Sequence, residues 1–397
     1  MKLILSGLLV LLVCSTGFDH FAISISTAHV RLSFLAYLGI WLCYARKISY
    51  PVLPTCLILL FTLIGAVSIA NSHDPLKSIM YLGWILFSYF IIFGLFAALA
   101  RWRGAELFRA VVLAFRLQIA IAALLWTLGI QERGCLLYYE ASYFSLALLI
   151  YAAIVMVGWQ SGTGRLADLF FLLLALVVTQ SALLLVGTAV IALSGMLLGG
   201  DAKRALRILL LALVVFAALC VYAQSSDDLL AQTFRNLLSR DQFANYLAER
   251  GGNRVPRMEC AWDVFCSSPS LGVGVGAYES HISTLDVSAY SHQNHYLAVE
   301  NQPAVSIVLE LLATVGVLGT IPFLAFVIYS LVRAGRGDAR QLSYKVALCG
   351  MLAVLAFDSN YLRPYFWMLL GICAGSTRAA HLAPRPVAFV PGTLAHE

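Results

Sequence analysis

Arginines, histidines and isolated acids are the residues of this chain with the most chemistry to offer. Arg250, Arg254 and Arg257 fall close together. A guanidinium stays charged and donates a planar fork of hydrogen bonds, which suits phosphate oxygens. The same side chain also fits a solvated loop or a lipid headgroup, so residue type alone does not decide. Trp262 follows, then Pro269-Ser270-Leu271-Gly272-Val273-Gly274, then His292 and His295. An unperturbed histidine titrates near neutrality and suits general base catalysis. These two also read as exposed loop residues, and with no third ligand nearby their spacing makes a poor metal site. Glu140, after Tyr138 and Tyr139, reads as a carboxylate that orients an arginine or accepts a hydroxyl proton, or as a helix N-terminal acid. Glu310 lies in an apolar run, where an acid is either functional or paired. Arg31 and Arg363 stand at the ends of apolar runs. Arg116 lies inside one, and either faces the protein interior or snorkels toward the end near Arg109. The stretch Gly272-Val273-Gly274-Val275-Gly276 lacks the strand–turn–helix context of a nucleotide loop and reads as a flexible turn.

The elements that must position these residues follow from composition. The chain has 397 residues, 61% hydrophobic and 12% charged, with mean hydropathy +0.86. Soluble domains carry roughly 25% charge. Repeated apolar runs of about 20 residues predict an all-α, polytopic integral membrane protein. The short alternating segments of a barrel are missing. Twelve spans are expected, at about 3–18, 31–45, 52–70, 79–100, 108–129, 143–159, 166–180, 182–199, 205–223, 304–332, 344–358 and 363–378. The stretch 166–199 is too long for one helix, and Thr179-Gln180-Ser181 suits a hairpin tip. The run 304–332 is expected to tilt or bend near Gly316 and Gly319. The chain thus divides into N-terminal membrane helices (1–223), a polar loop (224–303), C-terminal membrane helices (304–381) and a tail (382–397). Within the loop, Leu229, Leu230, Phe234, Leu237 and Leu238 recur at helical spacing. A second helix is expected from Pro256 to Phe265, then a turn-rich segment over 267–276.

Charge gives the topology. The net charge of +6 is spread over short loops and is no nucleic-acid signal. On the twelve-span reading, 16 of the 26 lysines and arginines fall on one face. The positive-inside rule places that face, with both termini, in the cytoplasm. The long loop then faces outward, to the periplasm of a two-membrane bacterium. It holds nine Asp or Glu against five Arg, so its arginine cluster is not a by-product of general basicity. Met1-Lys2 and the run Leu3 to Val13 resemble a signal peptide. Val13 is too large to precede a lipoprotein cysteine at Cys14, and a retained first span is expected. The nine cysteines show no metal spacing. Cys135, Cys260 and Cys266 would face the oxidising side, which leaves a disulfide among them open.

In their order, these residues resemble the O-antigen polymerase and ligase superfamily, which includes exopolysaccharide polymerases. The family's outer loop runs as an arginine, a tryptophan, then P-x-x-G-x-G. Here those are Arg257, Trp262 and Pro269 to Gly274, followed by Ala277-Tyr278. Its next span has E-x-G-x-x-G character, and here Glu310 precedes Gly316 and Gly319, displaced by one turn. Its E-P-S element is similar to Glu140-Ala141-Ser142-Tyr143-Phe144, without the proline. Two departures stand out. The serine–arginine of the mid-chain hairpin is Ser181-Ala182 here. The ligase histidine usually opens the span as His-Asn, whereas His292 and His295 flank Asn294 and His295 lies some fifteen residues before Glu310. The second departure puts the histidine's role in doubt and favours a polymerase over a ligase. The likeness covers about 135–320.

The resemblance implies a GT-C-like membrane enzyme of the bacterial inner membrane. It implies a metal-independent, inverting glycosyltransferase without cofactor that joins polyprenyl-diphosphate-linked oligosaccharide repeats into O-antigen or exopolysaccharide. Arg257, with Arg254 or Arg363, is then expected to hold the diphosphate. Glu140, His292 or His295 is expected to be the base, with Trp262, Glu310 and Arg31 in support. Expected partners are the lipid-linked oligosaccharide, the bilayer, a chain-length regulator and a flippase, with no nucleic acid. One alternative is a ligase that moves finished chains to an acceptor. Another, of a different class, is a twelve-helix transporter. That would show related halves and midplane helix breaks, neither of which the sequence displays.

Overall fold

In lipid a backbone N–H or C=O finds no water, so an apolar run must close its hydrogen bonds internally, as a helix. The computed structural model of this chain describes residues 2–20, 22–25, 28–199, 202–226, 229–239, 254–287, 290, 302–335 and 338–376. The first helices are α1 (Lys2–Cys14), α2 (Ser33–Tyr44), α3 (Val52–Ser68) and α4 (Pro75–Phe87). A π-helical turn, Ser88–Phe93, joins α4 to α5 (Gly94–Thr127). Then come α6 (Ala141–Ser161), α7 (Leu166–Thr179), α8 (Ala182–Gly199) and α9 (Ala202–Ser225). The polar loop contributes α10 (Leu229–Leu238), α11 (Val255–Ser267) and α12 (Tyr278–Ile282). The chain returns to apolar helices with α13 (Ile307–Arg333), α14 (Ala339–Leu355) and α15 (Pro364–Gly375). The fold is helical as expected, with one short hairpin beside the helices. Strands β1 (Ala22–Ile25) and β2 (Ala28–Arg31) form an antiparallel hairpin, with Ala22 opposite Arg31 and Ile25 opposite Ala28.

Five helical runs among the described residues are long and apolar enough to cross a membrane: Val52–Asn71, Pro75–Thr127, Ala141–Ser161, Ala205–Ser225 and Ile307–Arg333. Ser6–Gly17, Leu166–Thr179, Ala182–Leu198 and Pro364–Gly375 are shorter apolar helices. The spans expected at 79–100 and 108–129 belong to one 53-residue helical run. It bends at Arg103, where φ is −135° and ψ 36°. Arg101, Arg103, Glu106 and Arg109 cluster at that bend, and such charges disfavour the lipid interior.

Helix α6 is apolar all round, and Phe144 through Val157 are buried. A helix of that kind belongs inside a bundle, and α14 and α8 pack against it. Helix α15 packs on α5, and α13 on α3. By contrast α9 exposes Leu206, Leu209, Leu210, Leu213 and Val221, as a lipid-facing helix should. The hairpin tip falls where the sequence places it. Helix α7 stops at Thr179, Gln180 is left-handed at φ 48°, and α8 starts at Ala182. Arg133 caps the tip, donating to the carbonyls of Thr179 and Gln180, both at 3.2 Å. Arg116 faces the protein rather than snorkelling alone. It donates to Asp168 from Nε at 2.9 Å, and Tyr151 donates to the same oxygen at 2.9 Å. All nine cysteines are unbridged.

The bend expected in α13 is at Gly316, with φ 63° and ψ −171°. An α-helix broken there leaves carbonyls and N–H groups without their intrahelical partners. The glycine-rich loop supplies them. Val273 and Gly274 N–H donate to the carbonyls of Ala313 and Thr314 at 2.9 and 3.0 Å. In return, Val317 and Leu318 N–H donate to Pro269 and Ser270 at 2.8 and 3.3 Å. The backbones lie so close that a Cβ at Gly316 would overlap Ser270, and one at Gly272 would overlap Thr314. Asn71 adds a bond to the Gly272 carbonyl at 3.1 Å. The segment read as a flexible turn is a fixed backbone clasp between the loop and α13.

Candidate active site

The clasp holds α11 and the start of α13 beside the N-terminal ends of α2, α4, α6 and α15. Between them lies a cavity of about 680 Å³. Arg31, Arg254, Arg257 and Arg363 line it, together with Glu140, Glu279, Glu310 and Asp358. Six of the site residues expected from sequence therefore meet in one place: Glu140, Arg254, Arg257, Arg363, Glu310 and Arg31. Trp262 does not join them. It is 50% exposed and packs on Phe265 at 5.2 Å between ring centroids. Arg250, His292 and His295 lie outside the described residues.

Helix α11 begins at Val255 with Pro256 in its first turn, a position where proline is pre-organised for helix. This start projects Arg254 and Arg257 into the cavity. Arg257 donates to the Pro303 carbonyl from Nε at 3.2 Å and Nη2 at 2.5 Å. Arg254 donates to the Phe357 carbonyl at 2.9 Å. Burial lowers the pKa of Arg257, and Arg254 adds to that, while Tyr278 opposes both. Its guanidinium remains charged. Among the described residues neither arginine pairs with a carboxylate within 4 Å. Their positive charge is held in place but left available.

Arg31 and Arg363 are held differently. Arg31 Nε lies 2.7 Å and Arg363 Nη1 3.1 Å from the same oxygen of Asp19. The Asp19 side chain is only 4% exposed. Arg363 also lies 4.0 Å over the ring of Tyr143, a cation–π contact. Burial depresses the Arg31 pKa and Arg363 reinforces this. For Arg363, burial acts the same way but Asp19, Tyr143 and Tyr365 outweigh it, so its pKa rises.

Two carboxylates face the cationic edge. Glu140 is exposed at the N-cap of α6, where Ser142 Oγ donates to it at 2.9 Å. It caps no backbone N–H with its side chain. Asp358 sits in the turn between α14 and α15, accepting from Asn360 Nδ2. Burial pushes it up to about 6, against the pull of Arg254 and Arg363. That lies in the range a general base uses. The sequence reading missed Asp358 because it counted the residue as the end of a span. A signal was present, since the acid stands five positions before Arg363 at the same turn. Asp19 was missed too, and no motif marks it.

Residues 167–324 match the family model described as O-antigen ligase. The match supports membership of the O-antigen ligase and polymerase superfamily. It spans less than half of the chain, from α7 to beyond the bend of α13, and includes the clasp. No curated protein matches the chain. The O-antigen ligase family and the apolar helices together point to a multi-pass membrane protein, with a role in O-antigen or related glycan processing and glycosyl-transfer activity in general. The cavity straddles the matched segment. Arg254, Arg257, Glu279 and Glu310 lie inside it, while Arg31, Glu140, Asp358 and Arg363 come from outside.

Proposed function

We propose that this chain polymerises polyprenyl-diphosphate-linked oligosaccharide repeats into surface polysaccharide, at the periplasmic face of the bacterial inner membrane. One observation carries the reading: arginines from three distant parts of the chain converge with Asp358 and Glu140 on one cavity. Displacement of a lipid diphosphate needs cations for the leaving group and a base for the attacking hydroxyl. Arg254 and Arg257 hold the diphosphate, and their fixed charge supplies what a divalent cation would otherwise bring. The acceptor hydroxyl oxygen bonds to the anomeric carbon as the bond to the phosphate oxygen breaks. The hydroxyl proton passes to Asp358, and the electron pair leaves on the diphosphate. A single displacement inverts the anomeric centre. Glu140, exposed beside Tyr139 and Ser142, orients the acceptor sugar. The excess of lysine and arginine on the opposite face supports the orientation, with both termini cytoplasmic. A flippase delivering repeats and a chain-length regulator are the partners this reaction calls for.

A ligase reading is favoured by the description of the matched family, and it uses the same displacement with a different acceptor. Glycan profiles of a deletion strain separate the two. Loss of long chains with single repeats retained supports the polymerase. Accumulation of undelivered long chains supports the ligase, and an unchanged profile contradicts both.

A further inference from the structure

Among the described residues that line the cavity, Glu310 alone buries a side-chain oxygen, Oε2, without a hydrogen-bond partner. The residue is 8% exposed. Ser359 lines the cavity with Glu310. The cation within its electrostatic reach, Lys77, is committed to Glu279 at 2.8 Å. A buried oxygen left unsatisfied is costly, and a fold keeps it where a ligand removes the cost. A diphosphate brings no donor and cannot do so. A sugar hydroxyl or amide N–H can. The wall beside Glu310 suits the rest of such a ligand. Tyr81, within electrostatic reach of Glu310, and Trp84 are half-buried and line the same cavity with ring centroids 5.3 Å apart. Aromatic faces present a surface for the C–H face of a pyranose.

We propose that Glu310 Oε2 is the sugar-reading acceptor of this cavity. It takes a hydrogen bond from a hydroxyl or N–H of the lipid-linked glycan, whose ring rests against Tyr81 and Trp84. The cavity is thereby divided: Arg254 and Arg257 bind the diphosphate, common to every such lipid, and Glu310 distinguishes the sugar. This inference rests on the function proposed above.

The test uses the full-length protein in lipid nanodiscs with two probes. One is undecaprenyl diphosphate. The other is the lipid-linked repeat that accumulates in a strain deleted for this chain. Glu310→Gln is expected to weaken binding of the sugar-bearing lipid about tenfold, as for loss of one hydrogen bond, with undecaprenyl diphosphate bound as in wild type. Glu310→Leu, of similar volume, is expected to raise the melting temperature while losing the same preference for sugar, since it removes an unsatisfied group. If both variants keep the wild-type ratio of affinities, the oxygen meets only a trapped water and the inference is overturned. Equal weakening of both lipids, or a lower melting temperature for Glu310→Leu, also overturns it. If the wild type binds neither lipid, the function proposed above falls, and this inference with it. That result is distinguishable because it needs no variant.

Discussion

The two arginine pairs of the cavity differ in what holds them. Arg31 and Arg363 share the buried carboxylate of Asp19, and Arg363 lies over the ring of Tyr143. Arg254 and Arg257 rest on backbone carbonyls at Phe357 and Pro303. A carboxylate cancels part of the charge it orients, and a carbonyl orients while leaving the charge intact. The first pair is therefore a wall that sets the shape of the site. The second is a binding surface for an anion. Burying two guanidiniums demands a counter-charge, which explains an aspartate where no motif predicts one.

The comparison breaks most severely at Asp19. Asp19→Ala leaves two neighbouring arginines buried without their shared partner and is expected to cost about 3–5 kcal/mol of stability. Thermal melts of the purified protein should show it, and adding Arg31→Leu should recover part of the loss by removing the repulsion. A melt unchanged from wild type would show that the clamp is solvated. Arg257→Ala tests the other pair. Transfer should slow by roughly 100- to 1000-fold, as when a leaving-group donor is removed, while the melting temperature stays near that of wild type. A rate loss matched by an equal loss of stability would make the two pairs alike. The pH profile sharpens the assignment between them. Burial raises the Asp358 pKa to about 6, and a base acts only when deprotonated, so transfer should rise as pH increases through about 6. Asp358→Asn should slow transfer and remove that limb. A limb that persists in the variant assigns the base elsewhere. The smallest effect is expected at Trp262, which stands outside the cavity. Trp262→Ala should change stability within about 0.5 kcal/mol and leave the rate alone. A marked loss of rate would bring the tryptophan into the site after all.

Much of the frame was legible because local rules set it. Helical periodicity gave α10, a proline start gave α11, glycine positions gave the bend of α13, and length arithmetic gave the hairpin at Gln180. Arg254, Arg257 and Glu140 were legible as residue types suited to phosphate binding and acid–base work, and the cavity brings them together. What was not legible came from contacts between distant positions. Asp19 acquires meaning only from Arg31 and Arg363. Gly272 and Gly274 read as a loose turn in isolation, yet α13 fixes them through backbone bonds that leave no trace in side-chain chemistry. Arg116 was ambiguous until Asp168, far along the chain, came to face it. Asp358 was hidden by its place at the edge of an apolar run, where hydropathy assigns it to a span.

The division of labour between the two arginine pairs is tested most directly by binding of undecaprenyl diphosphate to purified protein in nanodiscs. The combined variant Arg254→Ala/Arg257→Ala should lose that binding by about 100-fold or more, for two charge-assisted contacts, and melt like wild type. Retention of wild-type affinity in that variant would contradict the account, and would move the diphosphate to the wall formed by Arg31 and Arg363.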